Sequence, residues 1–194
     1  MLGKIFQTLL LAGMTLHAAD FHPIASISSS TPNDLYNVEN LISGPGQGFT
    51  ATEPHTRLGG GSDATWVTAA PHGSGDYYLN GIADPVLLID LGANRSLSEI
   101  STWGYADTNT NGARNFSLRF ATEADGPSNF GTSITYNPSF IAGFSESNRD
   151  SHPFSQTVNA RYLEMTITDN WRNLQQGFAG GDRVGLGEIA FENT

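Results

Sequence analysis

The chain has 194 residues, enough for one domain with a short segment to spare. Hydrophobic residues make up 38% and charged residues 14%, with 22 glycines and no cysteine, which is the profile of a loop-rich β protein and not of a helical bundle or a disordered chain. A formal net charge of −10 repels polyanions and anionic lipid surfaces, so nucleic acid and membrane lipid are excluded as partners; the lack of cysteine excludes thiol catalysis, disulfides and thiolate-bound zinc.

At the N-terminus, Lys4 precedes an apolar run from Ile5 to Leu16, with small residues at Ala18 and Ala19. The run is shorter than the roughly 20 residues that span a bilayer and reads as a secretory signal peptide over residues 1–19. His17 stands where a small residue is preferred for cleavage after Ala19. A single domain is expected over residues 20–194, secreted to the extracellular space or the periplasm.

Past Asp20, Ile24–Ser28 alternates and predicts the first strand. Leu35, Val38 and Leu41 recur at spacing three and predict a helical turn within Asn33–Leu41. Residues 43–64 are Gly-rich and lack apolar period, so a long loop is expected, of a length usually functional or tied down. Trp66–Thr68 resumes a strand, and a Gly/Asp/Asn-rich loop runs from Pro71 to Asp84. Val86–Leu91 is a continuous apolar run, which predicts a strand covered on both faces; Ile100–Tyr105 is read as the next strand. Phe116, Leu118 and Phe120 alternate with polar or small residues, and weaker strands are read at Ile134–Tyr136 and Phe154–Val158. In Ala160–Ile167 the residues Arg161, Leu163, Met165 and Ile167 share one face, and Val184–Phe191 closes the chain. Short strands with turn signals and almost no helix predict an all-β antiparallel sandwich or barrel.

The order of these pieces carries a resemblance. Asn40-Leu41-Ile42-Ser43-Gly44 is followed by Trp66-Val67-Thr68, Val86-Leu87-Leu88-Ile89-Asp90-Leu91-Gly92 and Ile100-Ser101-Thr102-Trp103-Gly104-Tyr105. Arg114-Asn115-Phe116-Ser117-Leu118, Ala160-Arg161-Tyr162-Leu163 and Gly185-Leu186-Gly187-Glu188-Ile189 complete the series. From about residue 24 to 192 this resembles the discoidin family, also called coagulation factor V/VIII type C. The resemblance implies a jelly-roll β-sandwich of the galactose-binding-domain-like kind, and its bacterial secreted members look mostly like carbohydrate-binding modules.

The resemblance also implies a structural cation where the N-terminal loop meets the last strand. Glu188 matches the last-strand carboxylate, with the Gly187 carbonyl beside it, and the Asn40 and Pro45 carbonyls match the loop ligands. Ser43 replaces the family's loop Asp, and Asp63 is the acid that could take its place. Oxygen ligands favour Ca²⁺. Two readings stand: Glu188 ligates this ion, or it hydrogen-bonds loop amides and fixes the same loop without metal.

Sugar recognition needs an aromatic face and a few polar groups to fix hydroxyls. Asn170-Trp171-Arg172-Asn173, with Phe178 beyond it, is the best such cluster. Arg114, after Asn109–Ala113, offers a donor fork to hydroxyls, and His72 with Asp76, Tyr77 and Tyr78 offers a further patch. The structural alternatives are a Trp171 folded onto the core, an Arg114 held in a salt bridge and a His72 that is merely solvated. Trp66 and Trp103 are expected in the core, and Arg161 is expected to pair with a carboxylate. No H-E-x-x-H, G-x-S-x-G or phosphate-loop motif is present. The expected function is therefore a non-catalytic module that binds a polysaccharide or other glycan through loops at one end of the sandwich. The alternative is an extracellular protein-interaction or surface-structural module of the same fold, with a protein partner.

Overall fold

The structure, a computed structural model, describes residues 21–33, 36–42, 65–73, 75–172 and 178–193. Its strands are β1 (Phe21–His22), β2 (Ser26–Ser29), β3 (Trp66–Val67), β4 (Val86–Trp103), β5 (Asn115–Ala121), β6 (Ser139–Ile141), β7 (Asp150–Ile167), β8 (Gly185–Leu186) and β9 (Glu188–Asn193). A 3₁₀ turn spans Val38–Leu41 and another Leu79–Gly81. All named strand pairs are antiparallel, in the order β1-β9-β4-β7-β5-β6, with β2 added to β4 and a separate β3-β8 pair.

Two strands of 18 residues each, β4 and β7, make the fold. They pair along their length, but the register shifts between Asp90 and Arg95 and again between Leu97 and Glu99. Such irregularities bend a ladder and increase its twist. On one side of the bend, residues 86–90 lie between β2 and the end of β7, which continues to β5 and β6. On the other side, residues 97–103 pair with β9, and the start of β7 pairs with residues 99–102. The folded-over ladder is thus both layers of an all-β antiparallel jelly-roll β-sandwich.

Ring contacts show the layers face to face. His152, on the first part of β7, lies edge-on to Phe116 of β5 at 5.2 Å and beside Phe140 of β6 at 5.3 Å. Phe154 packs on Phe120 at 5.6 Å. Leu87, Ile89, Leu118, Leu163, Met165 and Ile167 from one layer and Leu97, Ile100, Val158, Ile189 and Phe191 from the other form one buried cluster. Truncating one of these leucines or isoleucines to Ala would cost about 2–5 kcal/mol.

The corner has its own clamp. Gly92 adopts φ +77°, a conformation open to glycine at little cost, and its amide donates to Asp90 Oδ1 at 2.7 Å. Arg161, reaching from β7, donates Nε to Asp90 Oδ1 at 2.9 Å and Nη2 to Oδ2 at 3.1 Å, while Nη1 meets Glu123 at 2.9 Å. This is the carboxylate pairing expected of Arg161.

Several sequence expectations change. Val86–Leu91 is covered on one face only: Leu87, Ile89 and Leu91 are buried, but Leu88 is 40% exposed. Ile100–Trp103 is the far half of β4, and Phe154–Val158 is the near half of β7, so neither is a separate strand. The strand read at Ile134–Tyr136 lies instead at Ser139–Ile141; Tyr136 still packs its ring on Phe120 at 6.1 Å. Trp66 is fully buried as expected, whereas Trp103 is only half-buried.

The Asp90 carboxyl is held below the usual carboxylate range, chiefly by the Arg161 hydrogen bonds and against some desolvation. A carboxyl lowered on folding stabilises the native state above its unfolded pKa, about 4, and loses that contribution as pH falls through the folded value. Asp90→Asn should therefore lower Tm at pH 7 and flatten the fall of Tm below about pH 4. Paired thermal melts of wild type and variant between neutral and strongly acid pH read both effects, and parallel curves would remove Asp90 from the acid limb.

Candidate functional site

At one end of the sandwich the loops before β5, before β7 and between β7 and β8 meet. The sequence there is rich in Asn and Gly, side chains and backbones that satisfy loop amides locally. Asn111 and Asn170 are both almost fully buried. Asn111 Oδ1 accepts from the amides of Gly181 and Arg183, while Asn170 Nδ2 donates to the carbonyls of Gly181 at 3.2 Å and Arg183 at 3.0 Å. One amide side chain supplies the acceptor and the other the donor, so the segment around Gly181–Arg183 is held from both sides. Leaving such buried groups unpaired would cost about 1–3 kcal/mol each.

Backbone bonds complete the frame. Ala113 donates to Gly185 at 2.7 Å, Arg114 to Asp169 at 2.9 Å, Trp171 to Gly112 at 3.2 Å and Ala142 to Arg114 at 2.7 Å. A Cβ on Gly185 would press into the Trp66 carbonyl at 2.6 Å and the Tyr105 ring at 2.8 Å, so only glycine lets β8 pass beneath Tyr105.

On this frame stands an aromatic–arginine cluster. The Arg114 guanidinium lies 5.5 Å from the Trp171 ring centroid, within cation–π range. Its Nη1 donates to Asp169 Oδ2 at 2.9 Å, with the two side chains 24% and 38% exposed. Trp171 meets Phe144 edge-on at 5.7 Å, and Phe144 stacks on Phe178 at 5.8 Å. Trp171 is half-buried with its indole nitrogen enclosed, whereas Phe178 is 44% exposed. The solvent-facing ring is therefore Phe178, and Trp171 supports it from below through Phe144.

The residues singled out from the sequence thus separate. Arg114, Trp171 and Phe178 come together. Arg172 turns away: its Nε is 3.9 Å from Asp76 Oδ2, and its chain lies over Gly181. That contact ties the Trp171 loop to the loop carrying His72, where Tyr77 also donates its amide to Gly181 at 2.8 Å. His72 itself is exposed and bonds the Leu79 carbonyl at 3.0 Å within its own loop. In the same loop, burial and the nearby Asp84 push the Tyr78 hydroxyl pKa upward, and that hydroxyl donates to the Ile167 carbonyl at 3.1 Å. Asn173 lies outside the described residues. Sequence reasoning missed Phe144 and Asp169. The signal for Phe144 was the one that singled out Trp171: a large ring in the polar stretch Gly143–Asn148 with no core period.

Of the cation ligands, Ser43, Pro45 and Asp63 lie outside the described residues. Glu188 is 1% exposed and stands opposite Trp103 in the β4–β9 ladder. The amide of the neighbouring Gly187 donates to Trp103 at 2.9 Å. Asn40 sits on the Val38–Leu41 turn, which packs against β9, and its side chain donates to the Thr65 carbonyl at 2.8 Å. Among the described residues no three His, Asp or Glu converge on one point.

No protein-family model matches the sequence, and no curated protein matches it. Solved structures do. CBM32 of AlyQ, in complex with 4,5-unsaturated mannuronic acid, is 16% identical, with TM-score 0.53 over 88% of this chain and 96% of that one. The family 32 CBM from C. perfringens NanJ, in complex with galactose, is 12% identical, with TM-score 0.53 over 90% and 98%. A Streptococcus pneumoniae fucose binding module is 14% identical, with TM-score 0.55 over 91% and 96%. At such identities the likeness is one of fold: the chain has the β-sandwich of these modules along almost their whole length.

Proposed function

We propose that the protein is a non-catalytic carbohydrate-binding module whose site is the Arg114–Trp171–Phe144–Phe178 cluster at the loop end of the sandwich. One observation carries this reading: a half-exposed ring, Phe178, stacks on Phe144 and through it joins Trp171, whose ring meets the arginine of the Arg114–Asp169 pair, on a frame fixed by buried amides. Phe178 offers the apolar face that a sugar ring covers. Arg114 and Asp169, partly open to solvent, offer donor and acceptor to its hydroxyls, and Trp171 keeps the guanidinium and Phe144 in place. The shared fold with sugar-binding modules supports the same reading. Arg172 and His72 serve here as loop fasteners, and Asn173 remains a proposed contact.

Phe178→Ala should weaken binding to the glycans a wild-type array identifies by about 1–2 kcal/mol with little change in Tm, since the ring is already exposed. Trp171→Ala should weaken binding and also lower Tm. Array screening followed by calorimetry reads both. A wild-type protein that binds no plant, algal or microbial glycan would sink the proposal.

The cation belongs to the same reading. A buried Glu188 on β9, against which the turn carrying Asn40 packs, fits a hard ion held by oxygen, with the Gly187, Asn40 and Pro45 carbonyls, Ser43 and Asp63 as its other ligands. Calcium at about a hundredfold its Kd should raise Tm by about 5–10 °C over chelator, and Glu188→Gln should abolish the difference. Equal melts of wild type in calcium and chelator would assign Glu188 to direct loop contacts.

A glycan receptor of this kind works outside the cytoplasm, which the Lys4–Ala19 segment supports. Protein recovered from an exporting host should begin near Asp20 by N-terminal sequencing; a retained Met1 would refute export by cleavage.

A further inference from the structure

Beside the loop cluster, on the outer face of the β6-β5-β7 sheet, lies a cleft of about 460 Å³, within the range of about 300–1,000 Å³ typical of small-ligand sites. Its floor follows from the register. Asn115 stands opposite Ile141, and Ser117 opposite Ser139; Ser117 pairs on its other side with Thr166, and the Thr168 amide bonds the Asn115 carbonyl at 2.8 Å. Alternation puts Phe116 and Phe140 inward and these side chains outward.

The result is a cleft, lined also by Phe116 and Phe140, that presents amide and hydroxyl groups beside one exposed aliphatic edge, Ile141, at 56% exposure. None of the lining side chains is charged. Ion pairs close the cleft at both ends: Arg119–Glu164 at 3.0 Å, one row along the sheet, and Arg114–Asp169 at 2.9 Å. The latter pair belongs to the Trp171 cluster, and Asn115 Nδ2 reaches the same Asp169 oxygen at 3.5 Å. The cleft therefore begins where the cluster ends.

We propose that this cleft is a second subsite that takes a neutral, hydroxyl-rich sugar unit of a glycan whose neighbouring unit occupies the Trp171 cluster. Uncharged donors and acceptors match hydroxyls, and Ile141 covers the apolar side of a ring. A uronate or sulfated unit would enter with no lining cation to meet it, and at the two ends the Arg114 and Arg119 charges are already matched by Asp169 and Glu164. The inference rests on the cluster being a glycan site in one respect: the chain enters the cleft from there.

The test is calorimetry with mono- to hexasaccharides of galactan, cellulose and chitin, and with alginate oligosaccharides as the anionic series. Wild type should bind a neutral series more tightly as it lengthens past one unit. Ser117→Arg, which fills the cleft from the solvent face, should remove about tenfold of the affinity for the longer chains and leave the monosaccharide unchanged. Ser139→Arg should act likewise, and thermal melts confirm that both variants fold. If Trp171→Ala abolishes binding while both arginine variants match wild type at every length, the cleft proposal fails and the cluster stands. If the arginine variants lose binding and Trp171→Ala does not, the cleft binds and the cluster reading falls. Preference for alginate, or no binding by any series, overturns the subsite.

Discussion

Everything in this fold hangs on the bend that β4 and β7 share. A flat ladder 18 residues long would expose one complete face; folding it over lets each half cover the other. The cost of the fold-over is local, because a register shift frees backbone groups and splays side chains. Gly92 absorbs the backbone conformation, and the Asp90 carboxylate takes up its amide. Arg161 then locks that carboxylate from the facing strand. The pair is half-sheltered and bidentate, the geometry in which arginine differs most from lysine. With the corner set, β2, β5 and β6 attach to one arm and β1 and β9 to the other.

The loop end is held by a different kind of force. It has few aliphatic side chains to bury, so its order comes from amides. Asn111 and Asn170 exchange donor and acceptor with one segment of chain, and the backbone of Arg114 is pinned to Asp169 on one side and Ala142 on the other. Polar networks of this sort are costly when incomplete and rigid when complete. Rigidity is what a shallow binding surface needs, because a site that must be ordered at the moment of binding gives up affinity to do so. The exposed Phe178 is thus carried on a stack, Phe144 on Trp171, whose base is tied to the frame by the Trp171 amide and by Arg114.

Much of the fold was legible in the sequence because it obeys period two. Phe116, Leu118 and Phe120 are buried, and Arg161 meets its carboxylate. Legibility fails where a residue serves something other than the ladder. Gly92 looks like the end of a strand, yet it bends one. Leu88 keeps the alternation of faces but hides it in the sequence, because it is an apolar residue that sits outside, between Ser28 and Glu164, with nothing in the local sequence to distinguish it from Leu87. Ile134 and Tyr136 look like strand residues but pack against the core from a segment without ladder bonds. At the site, Trp171 announced itself by its polar context. Its partner Phe144 comes from a loop 27 residues earlier in the sequence, beside the bond from Gly104 to Ser145 at 2.9 Å, and their meeting is a tertiary fact with no local pattern.

The chain's acidity acquires a sharper meaning in the structure. The few cations are largely spent on carboxylates: among the described residues Arg119 pairs with Glu164, Arg149 with Glu99 and Glu192, Arg161 with Asp90 and Glu123, and Arg114 with Asp169. Burial tends to raise the Glu99 carboxyl, but hydrogen bonds from Ser101, Arg149 and Ser151 outweigh it and hold the group ionised. Around these pairs the positive charge is already matched by carboxylates and offers an incoming anion little Coulombic gain. It does offer polarised donors and acceptors whose geometry is fixed in advance. In the proposed glycan site that combination would discriminate by hydroxyl position and ring shape instead of by charge, with the Arg114–Asp169 pair internally neutralised.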